Sequence, residues 1–385
     1  MVLYFVTEAR FGRDAAHGLA PLNPANVDSQ WASYSELEDF RLVARVGNSP
    51  SPFPTSQLSI EPLPYWRGPK SMLSALPKVI GRAVRLSRRP AVFILRMPGT
   101  VSLLFAAVLL CRRKVDVYVE LVGDIRSVVL SSRLPGRRVW AWLAGLLQAV
   151  VVQRASGVRY LTQVELQSAY PTRCTRVCAY ADLDLEPFEG LPARDYRSDG
   201  TRILAVGSQE LPYKGHDVLI RALAQIRETG ATLTLVGEGA ERPSLESLTS
   251  DLGLERQISF LPTMERRSLR KVLQGADVFA MPSRSEGLGR ALIEAMSCGL
   301  PAVATRVGGM RELLSDDYLV EPEDDSELAR KLASLITSPE QRRSAGVRNR
   351  EFIDQYLAKQ RAEKARWFRW LGESLQNQSG SRGRR

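Results

Sequence analysis

The sequence predicts an α/β protein made of two doubly wound, Rossmann-like parallel-sheet domains. Three observations predict it. Apolar runs of strand length alternate with amphipathic segments of helix length along nearly the whole chain. Gly-rich turns stand at the strand-to-helix junctions, most regularly after residue 200. The 385 residues, 44% hydrophobic and 25% charged, suffice for two cores of ordinary size. The predicted boundaries are 1–197 for a first domain and 198–354 for a second. A C-terminal helix is predicted over 355–376, and 377–385 form a disordered tail.

The first domain opens on an apolar strand, Val2–Val6, followed by Thr7-Glu8-Ala9-Arg10-Phe11-Gly12 and a Gly/Pro/Asn-rich loop holding His17 and Gly18. A helix around Asp28–Leu37 and a strand at Arg41–Val46 complete a βαβ unit. The Pro-rich stretch Ser49–Pro69 reads as extended connection with a strand at Gln57–Leu63. Ser71–Arg89 is a basic amphipathic helix, with Lys78, Arg82, Arg85, Arg88 and Arg89 between its apolar positions. Strand Ala91–Leu95, helix Gly99–Leu110 and strand Val115–Val122 follow, ending in Gly123-Asp124. Ligands of α/β sheets bind at the carboxyl ends of strands, so Asp124 and Arg126 are site candidates on position alone. Arg133–Val152 is a second basic-then-apolar element, in which Arg137 and Arg138 adjoin Trp140 and Trp142. Gly157–Thr162 is a strand, and Gly190–Gly200 is the linker.

The second domain repeats the unit more cleanly. Strand Ile203–Val206 leads through Gly207-Ser208 and Lys214-Gly215 to helix His216–Arg227. Strand Thr232–Val236 leads through Gly237-Glu238-Gly239 to helix Ser244–Leu252. Strand Ile258–Leu261 and helix Ser268–Gln274 precede strand Ala276–Ala280, and Leu300–Thr305 is the next strand. Strand Tyr318–Val320 and helices Ser326–Ile336, Ser338–Phe352 and Gln355–Leu375 complete the chain. The last helix carries Trp367, Phe368 and Trp370, side chains suited to docking.

Charge is concentrated. The net charge is +11, and between Arg67 and Arg138 there are 15 Lys/Arg against three acids. That segment carries the whole excess and predicts an anionic surface as neighbour. Nucleic acid is excluded as that neighbour, because no RRM, KH or helix-turn-helix signature accompanies the charge. An anionic membrane face remains. The longest apolar runs, 100–111 and 139–152, are too short to span a bilayer, and Met1 leads straight into a strand. The expected location is therefore cytoplasmic, peripheral on the inner face of the membrane. Four cysteines without framework spacing and two histidines predict neither disulfides nor a metal site.

The most informative stretch is Met281 to Pro301, MPSRSEGLGRALIEAMSCGLP. Strand, Gly-rich turn and helix N-terminus aim backbone N–H groups and the helix dipole at one spot, which makes an anion site. Glu286 stands in the turn and Glu294 inside the helix. Wholly helical spacing would separate them by roughly 12 Å along the axis. That is too far for a retaining-glycosidase pair, which needs about 5–5.5 Å. It suits the two ends of a ligand whose anionic middle lies on the helix terminus, and a nucleotide-sugar has that layout.

The pattern E-G-x-G-x-x-x-x-E-A-M-x-x-G-x-P resembles the signature of the retaining GT-B glycosyltransferases of family 4. The cadence VGS…YKGHDVLI, LVGEG, FLP, SCGLPAVAT and VGGMREL extends the resemblance over residues 201 to about 315. It implies two domains facing across a cleft, a C-terminal helix over 355–376 that crosses back to the first of them, and sugar transfer with retention from a nucleoside-diphosphate-sugar, without metal or cofactor. The acceptor would be a glycan or a lipid-linked molecule, as in cell-surface polysaccharide assembly. It further implies that Glu294 holds the ribose hydroxyls, while Glu286 and the Gly287–Gly289 backbone meet donor sugar and diphosphate. The implied catalytic pair is Glu286 and Lys214. Donor contacts extend to Gly207, Ser208, Gly237, Gly239, Leu261, Ser285 and Leu288. Arg10 and Gly12, with Asp124 and Arg126, fall on the acceptor side. The sequence departs from the family at Ser208, where relatives carry an arginine, and no histidine stands near Asp124. Two alternatives remain open: a non-catalytic sugar-nucleotide-binding protein, and a sugar-nucleotide epimerase of the same fold.

Overall fold

The structure is a computed structural model. It describes residues 1–13, 18–22, 31–37, 39–51, 53–112, 115–130, 136–181, 183, 196 and 202–380, and every statement below concerns these. His17, the start of the helix expected from Asp28, most of the linker 190–200 and the end of the expected tail lie outside them. The chain forms two compact units, Met1–Tyr180 with Arg361–Arg385, and Ala181–Gln360.

Unit 1 contains strands β1 (Leu3–Arg13), β2 (Leu19–Pro21), β3 (Phe40–Pro50), β4 (Ile60–Pro64), β5 (Ala91–Met97), β6 (Val115–Leu121), β7 (Gly157–Tyr160) and β8 (Val177–Ala179). They form one sheet in the order β4-β3-β1-β5-β6-β7-β8, parallel throughout, with β2 antiparallel on β1. Its helices are α1 (Ala32–Ser35), α2 (Pro69–Leu86), α3 (Thr100–Leu109), α4 (Ile125–Leu130), α5 (Arg137–Arg154) and α6 (Glu165–Ala169). Side chains alternate across a strand, so each strand feeds two cores. Tyr4, Val6, Phe93 and Leu95 pack with Val79 and Ala83 of α2 and Val101 and Phe105 of α3. Leu3, Phe5, Val92 and Ile94 pack with Trp31 and Tyr34 on the opposite face.

Unit 2 contains β9 (Arg202–Val206), β10 (Thr232–Val236), β11 (Ile258–Leu261), β12 (Val278–Met281), β13 (Ala302–Thr305) and β14 (Leu319–Val320). The sheet is wholly parallel, in the order β11-β10-β9-β12-β13-β14. Helices α7 (His216–Gln225), α8 (Arg242–Asp251), α9 (Arg266–Gly275), α10 (Arg290–Ser297), α11 (Met310–Leu313) and α12 (Asp325–Thr337) alternate with these strands. The order reverses beside β9, and ligands of doubly wound sheets bind at such a switch point.

Four expectations need correction. β1 runs to Arg13 rather than ending at Val6, because β2 and β3 pair with its polar second half. Gly12 is therefore a strand residue. The Pro-rich strand is Ile60–Pro64, shifted from the expected position by its parallel register on β3. The last two expected helices are one, α13 (Pro339–Gly380), since neither Gly nor Pro interrupts 350–360. Residues 377–380, expected in the tail, belong to it. Within unit 1, the C-terminal part of α13 docks through Trp367, whose ring meets Tyr118 edge-on at 5.3 Å and whose Nε1 donates to the Tyr34 hydroxyl at 3.0 Å.

Candidate active site

In unit 2 the loops after β9, β10, β12 and β13 gather at one edge of the sheet. Their glycines show how closely. A Cβ on Gly237, whose φ is +148°, would lie 1.9 Å from the Gly207 carbonyl oxygen. One on Gly215, φ +67°, would lie 1.9 Å from the Pro282 carbonyl oxygen. Only glycine combines these conformations with such approach. Gly239 lies against the Gln209–Glu210 backbone, and the Gly287 carbonyl accepts from the Gly309 N–H at 2.8 Å.

Lys214, just before α7, lays its stem over Gly207 and places Nζ 2.6 Å from Glu286 Oε2. Both side chains are largely buried. Ser283 Oγ donates to the same carboxylate oxygen at 3.5 Å. Four of the residues expected at the donor, Gly207, Lys214, Gly237 and Glu286, are thus brought together from three loops. Gly289, at φ +78°, starts α10, and a side chain there would collide with the Met310 methyl at 2.0 Å. Leu288 is buried beside Gly309, whereas Ser285 and Ser208 are exposed. Ser208 Oγ accepts from the Glu210 N–H at 3.2 Å, and Leu261 ends β11 half-buried.

Glu294 is buried within α10 and accepts from Arg266 at 3.0 Å. Arg266, the first residue of α9, is a residue that sequence reasoning missed; it lies 28 positions away in sequence, and no local signal announced it. Gln209 was missed as well. It is fully buried, and neither its amide oxygen nor its nitrogen has a partner among the described residues. Such unmet bonds are costly, and they fall inside the loop that carries Ser208. His216 is buried at the start of α7, where burial, then Lys214, push its pKa down to about 4, so the ring is neutral at pH 7.

In unit 1, Arg10 lines a cavity of about 840 Å³ at the carboxyl end of the sheet, together with Glu8, Arg45, Arg67 and residues of α4. Gly12 is packed under Ser49, whose carbonyl oxygen would stand 2.2 Å from an added Cβ. Asp124 and Arg126 pair with each other at 3.0 Å, and Tyr170 donates to Asp124. Burial raises the Asp124 carboxyl, but the bonds from Arg126 and Tyr170 outweigh it and hold the group below its usual value. Neither residue lines the cavity, although Ile125 between them does. Elsewhere in unit 1, fully buried Glu120 binds Arg159, Tyr34 and, at 3.5 Å, Arg96.

On α5, Trp140 and Trp142 are 57% and 61% exposed, with Leu146, Leu147 and Val150 also open; α4 adds Val128 and Leu130. Arg137 and Arg138 are exposed on α5, which carries no acid. The basic helix α2 behaves differently. It packs Ala75, Val79 and Ala83 into the core, and its Arg82 pairs with Glu61 at 3.0 Å. No helix among the described residues is long and apolar enough to cross a membrane.

Comparison with known proteins places a family match in the second unit. Residues 194–352 match the family described as glycosyl transferases group 1. A GDP-mannose-dependent monoacylated alpha-(1-6)-phosphatidylinositol monomannoside mannosyltransferase of Corynebacterium glutamicum is 28% identical over 276 residues, 65% of this chain and 69% of that protein. The sucrose-phosphate synthase of Thermosynechococcus elongatus superposes with a TM-score of 0.71 at 18% identity, covering 97% of this chain and all of that one. Alr3699/HepE of Anabaena, in complex with UDP, gives 0.66 at 18% identity over 98% of this chain and all of its own. These likenesses establish the two-domain GT-B fold.

Proposed function

We propose that this glycosyltransferase, whose residues 194–352 match the group 1 family, transfers a hexose, with retention, from a nucleoside-diphosphate-sugar to a lipid-linked or glycan acceptor in cell-surface polysaccharide or glycolipid assembly. The observation that carries the reading is the convergence of Lys214, Glu286 and the start of α10, with Glu294 buried one turn inside that helix. Glu294 would accept from the ribose diol. The diphosphate would lie on the N–H groups at the start of α10 and on Lys214, and Glu286 would take a hydroxyl of the donor sugar. As the bond from C1 to the phosphate oxygen breaks, negative charge grows on the diphosphate, where Lys214 and those dipoles stabilise it. The acceptor oxygen bonds to C1 on the same face and gives its proton to the leaving phosphate oxygen. The Lys214–Glu286 ion pair keeps both groups satisfied until donor separates them. No step needs a metal ion.

Relatives named for GDP-mannose dependence and solved with UDP support a nucleoside diphosphate donor without choosing its base. Contact with an anionic membrane face belongs to the same proposal. Arg137, Arg138 and the exposed tryptophans of α5 suit a headgroup boundary. Calorimetry of Glu294→Ala with donor nucleotides tests the site. The variant should bind more weakly by about 1.5–3 kcal/mol, the worth of a charge-assisted hydrogen bond. Unchanged affinity would put the nucleotide elsewhere.

A further inference from the structure

The cavity of unit 1 has an electrostatic make-up that sugar hydroxyls alone do not call for. Three guanidinium groups stand on its wall, Arg10, Arg45 and Arg67, and Glu8 is the one carboxylate among its described lining residues. Glu8 is already engaged twice. Its Oε1 accepts from the Val101 N–H in the first turn of α3 at 2.6 Å, and its Oε2 lies 2.9 Å from Arg45. That leaves the other two arginines uncompensated. Arg10 and Arg67 are exposed, and neither pairs with a carboxylate among the described residues. Arg67 spends its donors on neutral oxygens, Tyr65 Oη at 3.1 Å and Ser49 Oγ at 3.5 Å.

Arg45 supplies a second, independent observation. It is 4% exposed, its guanidinium lies 4.5 Å over the Trp66 ring, and its Nε–H has no partner among the described residues. With the one lining carboxylate, Glu8, engaged by Arg45 and the Val101 N–H, the two exposed arginines beside it give the cavity a net positive field. An anion in the cavity offsets it. Planar guanidinium groups match the oxygens of phosphate, and several around one space give a site for a tetrahedral dianion or a diester. Leu22, Ile125 and Val129 add apolar lining to the same cavity. Ile125 and Val129 belong to α4, the helix that also exposes Val128 and Leu130.

We propose that this cavity holds a phosphate ester of the acceptor, gripped by Arg10 and Arg67 with Arg45 behind them, and with the organic part of the ester against α4. The proposal rests on the glycosyltransferase reading only in naming the bound molecule an acceptor. The anion site stands on the arginines themselves.

The test titrates the full chain with glycerol 3-phosphate, with dioctanoyl phosphatidylglycerol below its micelle concentration, and with uncharged dioctanoylglycerol. The same titrations follow on Arg10→Gln/Arg67→Gln, whose two side chains are exposed and whose fold is checked by near-UV circular dichroism. At least one phosphate probe should bind the native chain, and the double variant should lose about tenfold or more in affinity as two charge-assisted contacts go. Binding by the phospholipid alone assigns the ester to a lipid headgroup, and equal binding by glycerol phosphate assigns it to a soluble acceptor. Absence of binding by both phosphate probes, equal affinity in native and variant chains, or dioctanoylglycerol binding as tightly as the phospholipid would each overturn the assignment. UDP and GDP titrated into both chains separate the two ideas. Failure of the donor reading leaves the nucleotides unbound while phosphate still binds, whereas failure of the anion site leaves nucleotide binding intact.

Discussion

Lys214 is the side chain whose replacement separates binding from chemistry. Its ammonium faces Glu286 in the free protein, so the ground state of Lys214→Ala loses one ion pair. In the proposed reaction the charge it meets is largest in the transition state. Turnover should fall on the order of 10²-fold, as for removal of one oxyanion-stabilising donor, with a smaller change in donor affinity. Equal losses in both would mean uniform binding. His216 gives a pH prediction. Its folded pKa, about 4, lies below the ordinary 6.5, so the folded chain binds the proton less readily than the unfolded one. Its contribution is fully present above pH 6.5 and is lost as pH falls toward about 4. The loss amounts to about 3 kcal/mol at most. Asp217, half-buried and held at about 2 by Arg284 and Arg221 against the opposing effect of burial, adds a further loss between 3.8 and 2. His216→Gln should flatten the urea-midpoint profile between pH 6.5 and 4, and an unchanged slope would place the acid sensitivity elsewhere. At this scale Glu286 and Glu294 stood out because one motif, Met281–Pro301, carries both, and Lys214 because it stands in the Gly-flanked turn before α7; their roles at a donor belong to the proposal. Arg266 and Gln209 were not, because their importance comes from the burial and partners the fold gives them.

Among the elements, the parallel strands of unit 2 were legible because the central ones are buried on both faces and read as short, largely apolar runs, RILAV and VFAM most clearly. β1 was read short because its second half is polar in sequence and is held by pairing with β2 and β3 instead. α13 was read as two helices for a related reason. Its apolar positions form two stripes, Ala345, Ile353 and Tyr356 and then Trp367 and Leu371, and each stripe serves a different unit. A change of buried face looks like a break when only periodicity is followed. The two basic helices were alike in sequence and differ in degree in the structure, where α2 sends Ala75, Val79 and Ala83 into the core and exposes only Leu73 and Ile80 among its described large apolar side chains, while α5 leaves both tryptophans and several aliphatic side chains open. Vesicle binding should therefore depend on α5. Trp140→Ser/Trp142→Ser should reduce co-sedimentation with anionic liposomes several-fold, and rising salt should weaken the native chain's binding, since screening acts over about 8–10 Å. Equal sedimentation with neutral and anionic vesicles would remove the membrane from the account.

For the whole molecule, composition told little beyond size and charge, and the repeated strand–turn–helix unit told the fold. The +11 charge is concentrated in residues of unit 1, while the motifs that resemble a donor site lie in unit 2. That division is what the proposed function uses, with donor chemistry in one unit and an anionic acceptor in the other. The first unit was less legible because the role proposed for it rests on scattered arginines and a cavity rather than on a contiguous motif. The most direct measurement offers the purified chain a panel of UDP-, GDP- and ADP-sugars and follows release of the nucleoside diphosphate. The account predicts release from one nucleotide class, strongly slowed in Lys214→Ala and requiring more donor in Glu294→Ala. Binding of a sugar-nucleotide without any release, or release unaffected by both substitutions, would contradict it.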